Sequence, residues 1–299
     1  MTSSWTPQQI PDQTGRTFVI TGANSGIGLA AAKVLAAKGA HVVLAVRNTA
    51  KGEAAARTIQ GDTEVRALDL ADLASVRAFA AATHEDVDVL INNAGVMNVP
   101  LQHTADGFEM QIGTNHLGHF ALTNLLLPRI KDRVVTVASG AHRYGKIRLD
   151  DLNWEQGYKR HAAYGQAKLA NVLFMAELQR RLDEAGSSVR SVGAHPGWAA
   201  TNLQSRSGSR IEDTLMGIGN RLFAQTGDMG AEPTLFAATA DVPGNSYAGP
   251  DGRFEMRGHP TLVSRSAAAT DEETARKLWN LSENLTGTSF GGAVPVVYG

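Results

Sequence analysis

The chain contains no cysteine, and this absence excludes several kinds of chemistry at once. A protein without thiols has no disulfide, no thiolate nucleophile and no cysteine-based zinc site. The absence also suits a reducing compartment. The first residues, MTSSWTPQQIPDQTG, lack the basic start and apolar run of a signal peptide, so we expect a cytoplasmic protein.

Long hydrophobic runs and an excess of charge of one sign are also missing. No stretch approaches the roughly 20 consecutive apolar residues of a membrane-spanning helix, so we expect no membrane span. The formal net charge is −1, which gives no electrostatic reason to expect nucleic acid as a partner. Hydrophobic residues make up 43% of the 299 residues, enough for one large globular domain with a sizeable core.

Short apolar segments alternate with helical segments from residue 16 onward. RTFVITG, HVVLAVRN and VDVLINNAG are typical of strands, and GIGLAAAKVLAAKGA is typical of a helix. Strands that are apolar throughout are buried on both faces, as in a parallel sheet. We therefore predict an α/β protein with a single-domain Rossmann fold, whose doubly wound parallel sheet of about seven strands is flanked by helices.

The predicted organisation has three parts. Residues 1–15 form a polar N-terminal arm, residues 16–285 a single dinucleotide-binding catalytic domain, and residues 286–299 a flexible C-terminal tail. Within the domain, residues 201–227 interrupt the alternation and are predicted to form a small substrate lid. Apolar residues at helical spacing in this lid hint at an apolar substrate, although such a stripe is more often core packing.

The first predicted strand leads into TGANSGIG, where glycines follow the pattern Gly-x-x-x-Gly-x-Gly. This pattern is neither the Gly-x-Gly-x-x-Gly fingerprint nor a Walker P-loop. Glycines in a strand-to-helix turn let backbone N–H groups approach a pyrophosphate, and the helix N-terminus adds a favourable dipole. They can also be purely geometric, but their place after the first strand favours phosphate binding. The predicted phosphate-binding residues are Gly22, Asn24, Ser25, Gly26, Ile27 and Gly28.

The end of the second predicted strand indicates which dinucleotide binds. Arg47 lies there, 19 residues after Gly28. An acidic residue would bind the ribose hydroxyls of NAD, whereas an arginine pairs with a 2′-phosphate, so Arg47 and its neighbour Asn48 favour NADP and leave NAD possible. An exposed arginine at a strand end is the alternative. Asp69 and Leu70 follow the third strand and are placed to hold the adenine, although Asp69 could equally cap the next helix.

AAYGQAKLAN, residues 162–171, places Tyr164 four residues before Lys168, so both side chains lie on one helix face. A cation beside a phenol favours the phenolate and lowers its pKa. Bringing the pKa from ~10 to ~7 needs about 4 kcal/mol, more than one lysine usually supplies, and a positively charged nicotinamide would add part. Such a tyrosine exchanges a proton with a carbonyl or alcohol oxygen. Ser139, at the end of the fifth strand, is placed to hold that oxygen.

The order of these motifs resembles the short-chain dehydrogenase/reductase family. TGANSGIG, NNAG at 92–95, Asn115, Ser139, YGQAK and PG at 196–197 occur in that family's register across roughly residues 15–285. HRYGKIRLDDLNW and YGQAKLANVLF are most similar to the retinol-dehydrogenase-like branch and to the oxidoreductase domain of WW-domain oxidoreductases. The segment between Ser139 and Tyr164 is longer than in compact members, as it is in that branch.

The resemblance implies further roles. Asn115 would shape its helix and hold a water linking Lys168 to solvent, which completes a catalytic set with Ser139 and Tyr164. Thr201 would contact the nicotinamide carboxamide. The other residues implied at the cofactor are Asn93, Ala94, Gly95, Tyr164, Lys168, Pro196 and Gly197. Without the family register, the Pro-Gly pair is equally a plain turn.

The predicted function is hydride transfer between NADP(H) and a carbonyl or alcohol substrate, with Tyr164 as general acid and base. The alternative is a non-catalytic dinucleotide sensor or scaffold, which would be expected to have lost the tyrosine, lysine or serine. An epimerase or dehydratase would use the same Tyr-Lys pair but generally has another glycine spacing.

HLGH at 116–119 lacks the spacing of a metal site. The Tyr164 helix is apolar nearly all round, which favours a homo-oligomer; a central place in one domain is the alternative.

Overall fold

The computed structural model describes residues 4–197 and 227–293. Its main sheet has the strand order β3-β2-β1-β4-β5-β6-β7-β8. The strands are β1 (Thr17–Thr21), β2 (His41–Val46), β3 (Thr63–Ala67), β4 (Val87–Asn92), β5 (Ile130–Val137), β6 (Arg190–Ala194), β7 (Tyr247–Pro250) and β8 (Pro260–Leu262). The helices are α1 (Gly26–Ala37), α2 (Thr49–Ala56), α3 (Leu73–Ala82), α4 (Met110–Ile112), α5 (Gly118–Leu126), α6 (Arg160–Glu184), α7 (Gly227–Thr239) and α8 (Glu272–Thr286).

Strands β1 to β7 pair in parallel, which confirms the predicted α/β Rossmann-like domain. The sheet differs from the prediction at one edge, where an eighth strand, β8, runs antiparallel to β7. The connection between them, residues 251–259, holds no crossover helix. A chain that returns without a crossover must pair antiparallel.

Alternating side chains of the sheet build a core on each of its faces. On β1, Phe18 and Ile20 pack towards α1 and α7, whereas Val19 packs towards α3 and α5. All three side chains are fully buried. Because β1 lies between β2 and β4, the strand order reverses beside it, and ligands of such sheets bind outside the carboxyl ends of the strands at that point.

The predicted arm and tail both pack against the domain in their described parts. Trp5 packs edge-on against Phe236 of α7, and Ile10 is buried in the same core. The tail was predicted from residue 286, but Thr286 is the last residue of α8, and Gly287 caps that helix in the left-handed conformation. Strands β9 (Thr288–Ser289) and β10 (Gly292–Ala293) then pair antiparallel, so the tail is ordered up to that point.

Helix α6 is covered from within the same chain. Ala275 and Leu278 of α8 share a buried cluster with Leu169, Val172 and Leu173 of α6. On this face of α6, the apolar side chains that favoured a second subunit are therefore covered by α8 of the same chain. None of the helices in the described segments is long and apolar enough to cross a membrane.

Candidate active site

The carboxyl edge of the sheet gathers the predicted catalytic residues. Ser139 follows β5 and is the N-cap of a short 3-10 helix, Gly140–Arg143. Tyr164 and Lys168 lie on α6 and are 8% and 5% exposed. The Ser139 hydroxyl lies within hydrogen-bonding reach of the Tyr164 hydroxyl. The Lys168 ammonium donates to the Val137 carbonyl at 3.2 Å and lies 5.7 Å from the centre of the Tyr164 ring.

Burial dominates the electrostatics of this pair. It raises the pKa of Tyr164 to about 12, against a lowering effect of the hydrogen bond with Ser139. It also lowers the pKa of Lys168 to about 8. The predicted direction for Tyr164, a pKa lowered by Lys168, is therefore wrong for the protein's own groups. Desolvation of the buried phenolate is the largest effect on this pKa, and Tyr144 adds to it.

Asn115 lies in a turn of π-helix, Gly113–Leu117, between α4 and α5. Its side-chain oxygen accepts from Val96 N at 2.8 Å, and its amide nitrogen donates to Val96 O at 2.9 Å. A Cβ added at Gly95 would lie 3.0 Å from Asn115 Oδ1 and 3.7 Å from Lys168 Nζ. A side chain at position 95 would crowd Asn115. The backbone at Gly95 therefore lies close to both Asn115 and Lys168.

A hydrogen-bonded chain that the sequence did not predict links the NNAG segment to Asn115. The Thr21 hydroxyl accepts from the N–H groups of Asn93 and Ala94, both at 2.9 Å, and contacts His119 Nε2 at 2.8 Å. His119 Nδ1 lies 2.9 Å from the Asn115 carbonyl. Because a carbonyl only accepts, Nδ1 carries the proton and Nε2 accepts from Thr21. The one available signal was the spacing of four between Asn115 and His119.

Burial lowers the pKa of four histidines, the fourth being His142, and this makes the fold sensitive to acid. Burial lowers the pKa of His116 to about 3 and those of His119 and His195 to about 4. Unfolded histidines bind protons from about pH 6.5 downward, so the unfolded state gains protons that the folded state refuses. The contribution of these neutral histidines to the free energy of unfolding is therefore fully present above about pH 6.5 and is lost as the pH falls towards 4. His116, His119 and His195 together give a slope of about 4 kcal/mol per pH unit once the pH is well below 6.5, and His142 adds to that slope.

Denaturation at a series of pH values tests this slope with one variant and one control. In His116→Leu the slope should fall by about 1.4 kcal/mol per pH unit, because one of the contributing groups is removed. His116 suits the substitution because its Nδ1 has no partner in the described part of the chain, and Ser282 keeps its bond to the Leu278 carbonyl. The control, exposed His161→Gln, should keep the full slope. An unchanged slope in His116→Leu would contradict the assignment.

The glycine turn has the shape that a pyrophosphate needs. Gly22 and Gly26 have φ of +68° and +55°, a region that favours glycine. A Cβ on Gly28 would lie 2.5 Å from the Asn93 side chain, so only glycine lets α1 approach β4 this closely. Helix α1 begins at Gly26, and the side chain of its N-cap, Ser25, makes no capping hydrogen bond. Asn24 is half-buried in the turn and Ile27 is buried behind it. These residues fit a bound phosphate group.

Among the described residues, the first part of the predicted adenosine end contains one free cation, Arg47, and one occupied polar group, Asn48. Arg47 is exposed directly after β2, and within the described residues it has no hydrogen-bond or ion-pair partner. Asn48 is the N-cap of α2 and accepts from Lys51 N at 2.9 Å, so its side-chain oxygen is already used.

The alternative role of Asp69 as a helix cap is wrong. The N-cap of α3 is Asp72, which accepts from Ala74 N at 2.9 Å. Asp69 instead accepts from Ala71 N at 3.0 Å within its own turn and remains half-buried, while Leu70 is buried beside it. The second carboxylate oxygen of Asp69, at the carboxyl end of β3, thus has no hydrogen-bond partner among the described residues.

The nicotinamide end is described as far as the turn after β6. Gly197 has φ of +66°, and its N–H donates to His195 Nδ1 at 3.3 Å. Pro196 is half-buried between these two residues. Thr201, and all but the last residue of the predicted lid 201–227, lie outside the described residues.

A doubly wound sheet with a glycine turn after β1 and a Ser-Tyr-Lys cluster at its carboxyl edge defines a dinucleotide-binding oxidoreductase. The family model described as short chain dehydrogenase matches residues 16–212. The chain belongs to the short-chain dehydrogenase family.

The similar proteins include curated dehydrogenases. Human retinol dehydrogenase 13 is 44% identical over 293 residues, which cover 91% of this chain and 85% of that protein. Human retinol dehydrogenase 12 is 43% identical over 288 residues, which cover 91% and 87%. These relatives confirm the resemblance to the retinol-dehydrogenase-like branch.

Two crystal structures are also similar. An uncharacterised protein from Mycobacterium paratuberculosis is 54% identical with a TM-score of 0.85, over 96% of this chain and 99% of that one. A protein described as an NAD(P)-dependent gluconate 5-dehydrogenase from Beutenbergia cavernae, with bound NADP, is 28% identical with a TM-score of 0.58, over 77% and 92%.

Proposed function

We propose that the protein interconverts a carbonyl and an alcohol with NADP(H), and that Tyr164 is the general acid and base. The observation that carries this proposal is that the hydroxyls of Ser139 and Tyr164 meet beside the buried Lys168. The three groups stand at the edge of the sheet where the glycine turn also opens. A non-catalytic sensor has no use for this arrangement, because a proton donor, its orienting hydroxyl and a buried cation serve chemistry rather than binding.

In the proposed reduction, the bound cofactor supplies a hydride to the carbonyl carbon. The raised pKa keeps Tyr164 protonated at neutral pH, which is the form that donates to the carbonyl oxygen. The Ser139 hydroxyl holds the same oxygen and orients it. Lys168, whose pKa of about 8 leaves it mostly charged at neutral pH, stabilises the phenolate that remains. Asn115 fixes the segment beside Lys168 through Val96.

The retinol dehydrogenases among the relatives support an apolar primary alcohol or its aldehyde as the substrate. The exposed aromatic ring of Tyr144, five residues after Ser139, offers an apolar contact of the right kind near the site. The test is a panel of aldehydes and ketones of increasing chain length, followed by loss of NADPH absorbance. Turnover that rises with apolar length supports the proposal, and no turnover with any carbonyl contradicts it.

The preference for NADP rests on Arg47. An exposed guanidinium without another partner is free to bind a 2′-phosphate by charge-assisted hydrogen bonds, worth about 1.5–3 kcal/mol. Arg47→Ala should therefore weaken NADPH binding by about 10- to 100-fold and leave NADH binding unchanged. Calorimetric titration of both cofactors measures the two effects. Arg57→Ala, an exposed arginine just after α2, is the matched control and should change neither. Tighter binding of NADH than NADPH by the unmodified protein would contradict the assignment.

We also propose a cytoplasmic location and a homo-oligomer. The lack of cysteine supports the first, and cell fractionation tests it. The family resemblance supports the second, but an assembly would use a surface other than the part of α6 that α8 covers. Light scattering tests this second proposal, and a mass of a single chain would contradict it.

A further inference from the structure

The loop between β7 and β8, residues 251–259, holds two residues in an unfavourable backbone conformation. Phe254 and Glu255 have φ of +57° and +55°. A residue with a Cβ pays roughly 1 kcal/mol or more in this region, and such strain persists only where the surroundings impose it. The ends of the loop are joined by Asp251 N to the His259 carbonyl and by His259 N to the Asp251 carboxylate, both at 2.9 Å.

The side chain of Glu255 ties this loop to two sides of the candidate active site. Its carboxylate accepts from Arg143 Nη2 at 2.7 and 2.9 Å, and Arg143 ends the short helix that Ser139 caps. The same carboxylate lies 3.0 Å from Nε2 of His195, which follows β6. His195 is only 2% exposed and stacks on the ring of Tyr247. Glu255 is thus the bridge between the segment after β5 and the segment after β6.

The hydrogen bonds also fix the tautomer of His195. Nδ1 accepts the N–H of Gly197, so it carries no proton. Nε2 therefore carries the proton of the neutral ring and donates it to Glu255. Without the carboxylate, the ring loses the partner that holds this tautomer and orientation, and the turn at Gly197 loses a fixed acceptor.

We infer that Glu255 is a positioning residue, which holds the Gly197 turn through His195 and the Ser139 segment through Arg143 so that the nicotinamide half of the cofactor binds beside the catalytic hydroxyls. The inference rests on the proposed function, because the family resemblance behind that function puts the turn at Pro196 and Gly197 along the nicotinamide. None of these contacts includes Arg47, so binding of the adenosine half of the cofactor should not depend on Glu255.

Two ligands distinguish binding of the nicotinamide half of the cofactor from binding of its adenosine half. NADPH contains both, whereas adenosine 2′,5′-bisphosphate contains only the half assigned to Arg47. Calorimetry with Glu255→Gln should show NADPH binding weakened about tenfold and bisphosphate binding unchanged, because in either orientation the glutamine NH2 group faces a donor on Arg143 or His195. Glu273→Gln, which removes an exposed carboxylate that pairs with Lys277, is the control and should change neither. Equal loss of both ligands would indicate only a structural role and would overturn the inference.

A second variant tests the route through His195. In His195→Asn the side-chain oxygen still accepts from Gly197 N–H but is too short to reach Glu255. In this background Glu255→Gln should weaken NADPH binding by clearly less than tenfold, since the link through His195 is already cut and only the link through Arg143 remains. A tenfold effect that persists in the double variant would overturn the inference. If the unmodified protein bound neither ligand, the proposed function would fail as well; if it bound both and Glu255→Gln changed neither, the inference alone would fail.

Discussion

The Tyr164→Phe variant is expected to bind NADPH like the unmodified protein and to reduce its carbonyl substrate at least about a thousandfold more slowly. The substitution removes a single oxygen from a side chain that is 8% exposed, and the phenyl ring retains the packing of α6. The carbonyl oxygen then lacks its proton donor. Ser139 cannot replace that donor efficiently, because an aliphatic hydroxyl is a much weaker acid than a phenol.

The loss in Tyr164→Phe must be separated from general damage to the fold. Tyr158→Phe is the control, because the Tyr158 hydroxyl donates to the Val99 carbonyl and accepts from Gln111 away from the catalytic cluster. That variant should lose about 1 kcal/mol of stability and keep turnover within a few-fold. Turnover by Tyr164→Phe at a similar level would show that another group moves the proton.

The Lys168→Met variant is expected to be more stable than the unmodified protein and almost inactive. Burial lowers the pKa of Lys168 from 10.5 to about 8, which corresponds to a destabilisation of about 3 kcal/mol at neutral pH. Methionine has a similar length and no charge, so it removes this cost. The lost hydrogen bond to the Val137 carbonyl offsets about 1 kcal/mol, leaving a net gain of about 2 kcal/mol.

The pH dependence of this gain has a definite sign. Between pH 8 and 10.5 the unfolded lysine binds a proton that the folded lysine has released, so the unmodified protein becomes more stable as the pH rises. The advantage of Lys168→Met is therefore full below about pH 8 and disappears above about pH 10.5. Activity should fall by about a hundredfold or more, since the phenolate loses its cation.

Chemical denaturation and turnover at several pH values measure both effects. Lys131→Met is the matched control, because Lys131 is exposed and pairs with Asp86 on the surface. It should change stability by less than about 0.5 kcal/mol and leave turnover unchanged. A Lys168→Met protein that is both less stable and inactive would mean that the lysine supports the fold rather than the chemistry.

The parallel part of the fold follows from local sequence pattern. Segments such as HVVLAVRN are apolar on both faces, and only a sheet covered by helices on both sides buries them. The antiparallel β8 was missed because its three residues, Pro260–Leu262, are too short for any period. The ordered part of the tail was missed because Phe290 is apolar but isolated in sequence, and its partner Trp279 is reached only through the fold.

The predicted site residues depended on tertiary arrangement to different degrees. Ser139, Tyr164 and Lys168 follow from motif order along a known kind of sheet, and the structure brings them together. The hydrogen bond between Thr21 and His119 joins residues far apart in the chain, so no local pattern marks it. The sign of the pKa shift of Tyr164 was also out of reach, because burial is a property of the packed domain.

Transfer of deuterium from NADPH labelled at the nicotinamide C4 position tests the central claim most directly. The unmodified protein is incubated with labelled NADPH and an apolar aldehyde, and the alcohol product is analysed by mass spectrometry. Because the hydride goes to the carbonyl carbon and Tyr164 supplies only the proton on oxygen, we predict one deuterium on the carbinol carbon when the labelled face is the one used. NADPH labelled on the opposite face should then give none. An alcohol that carries no deuterium from either label, or no alcohol at all from any aldehyde, would contradict the proposed function.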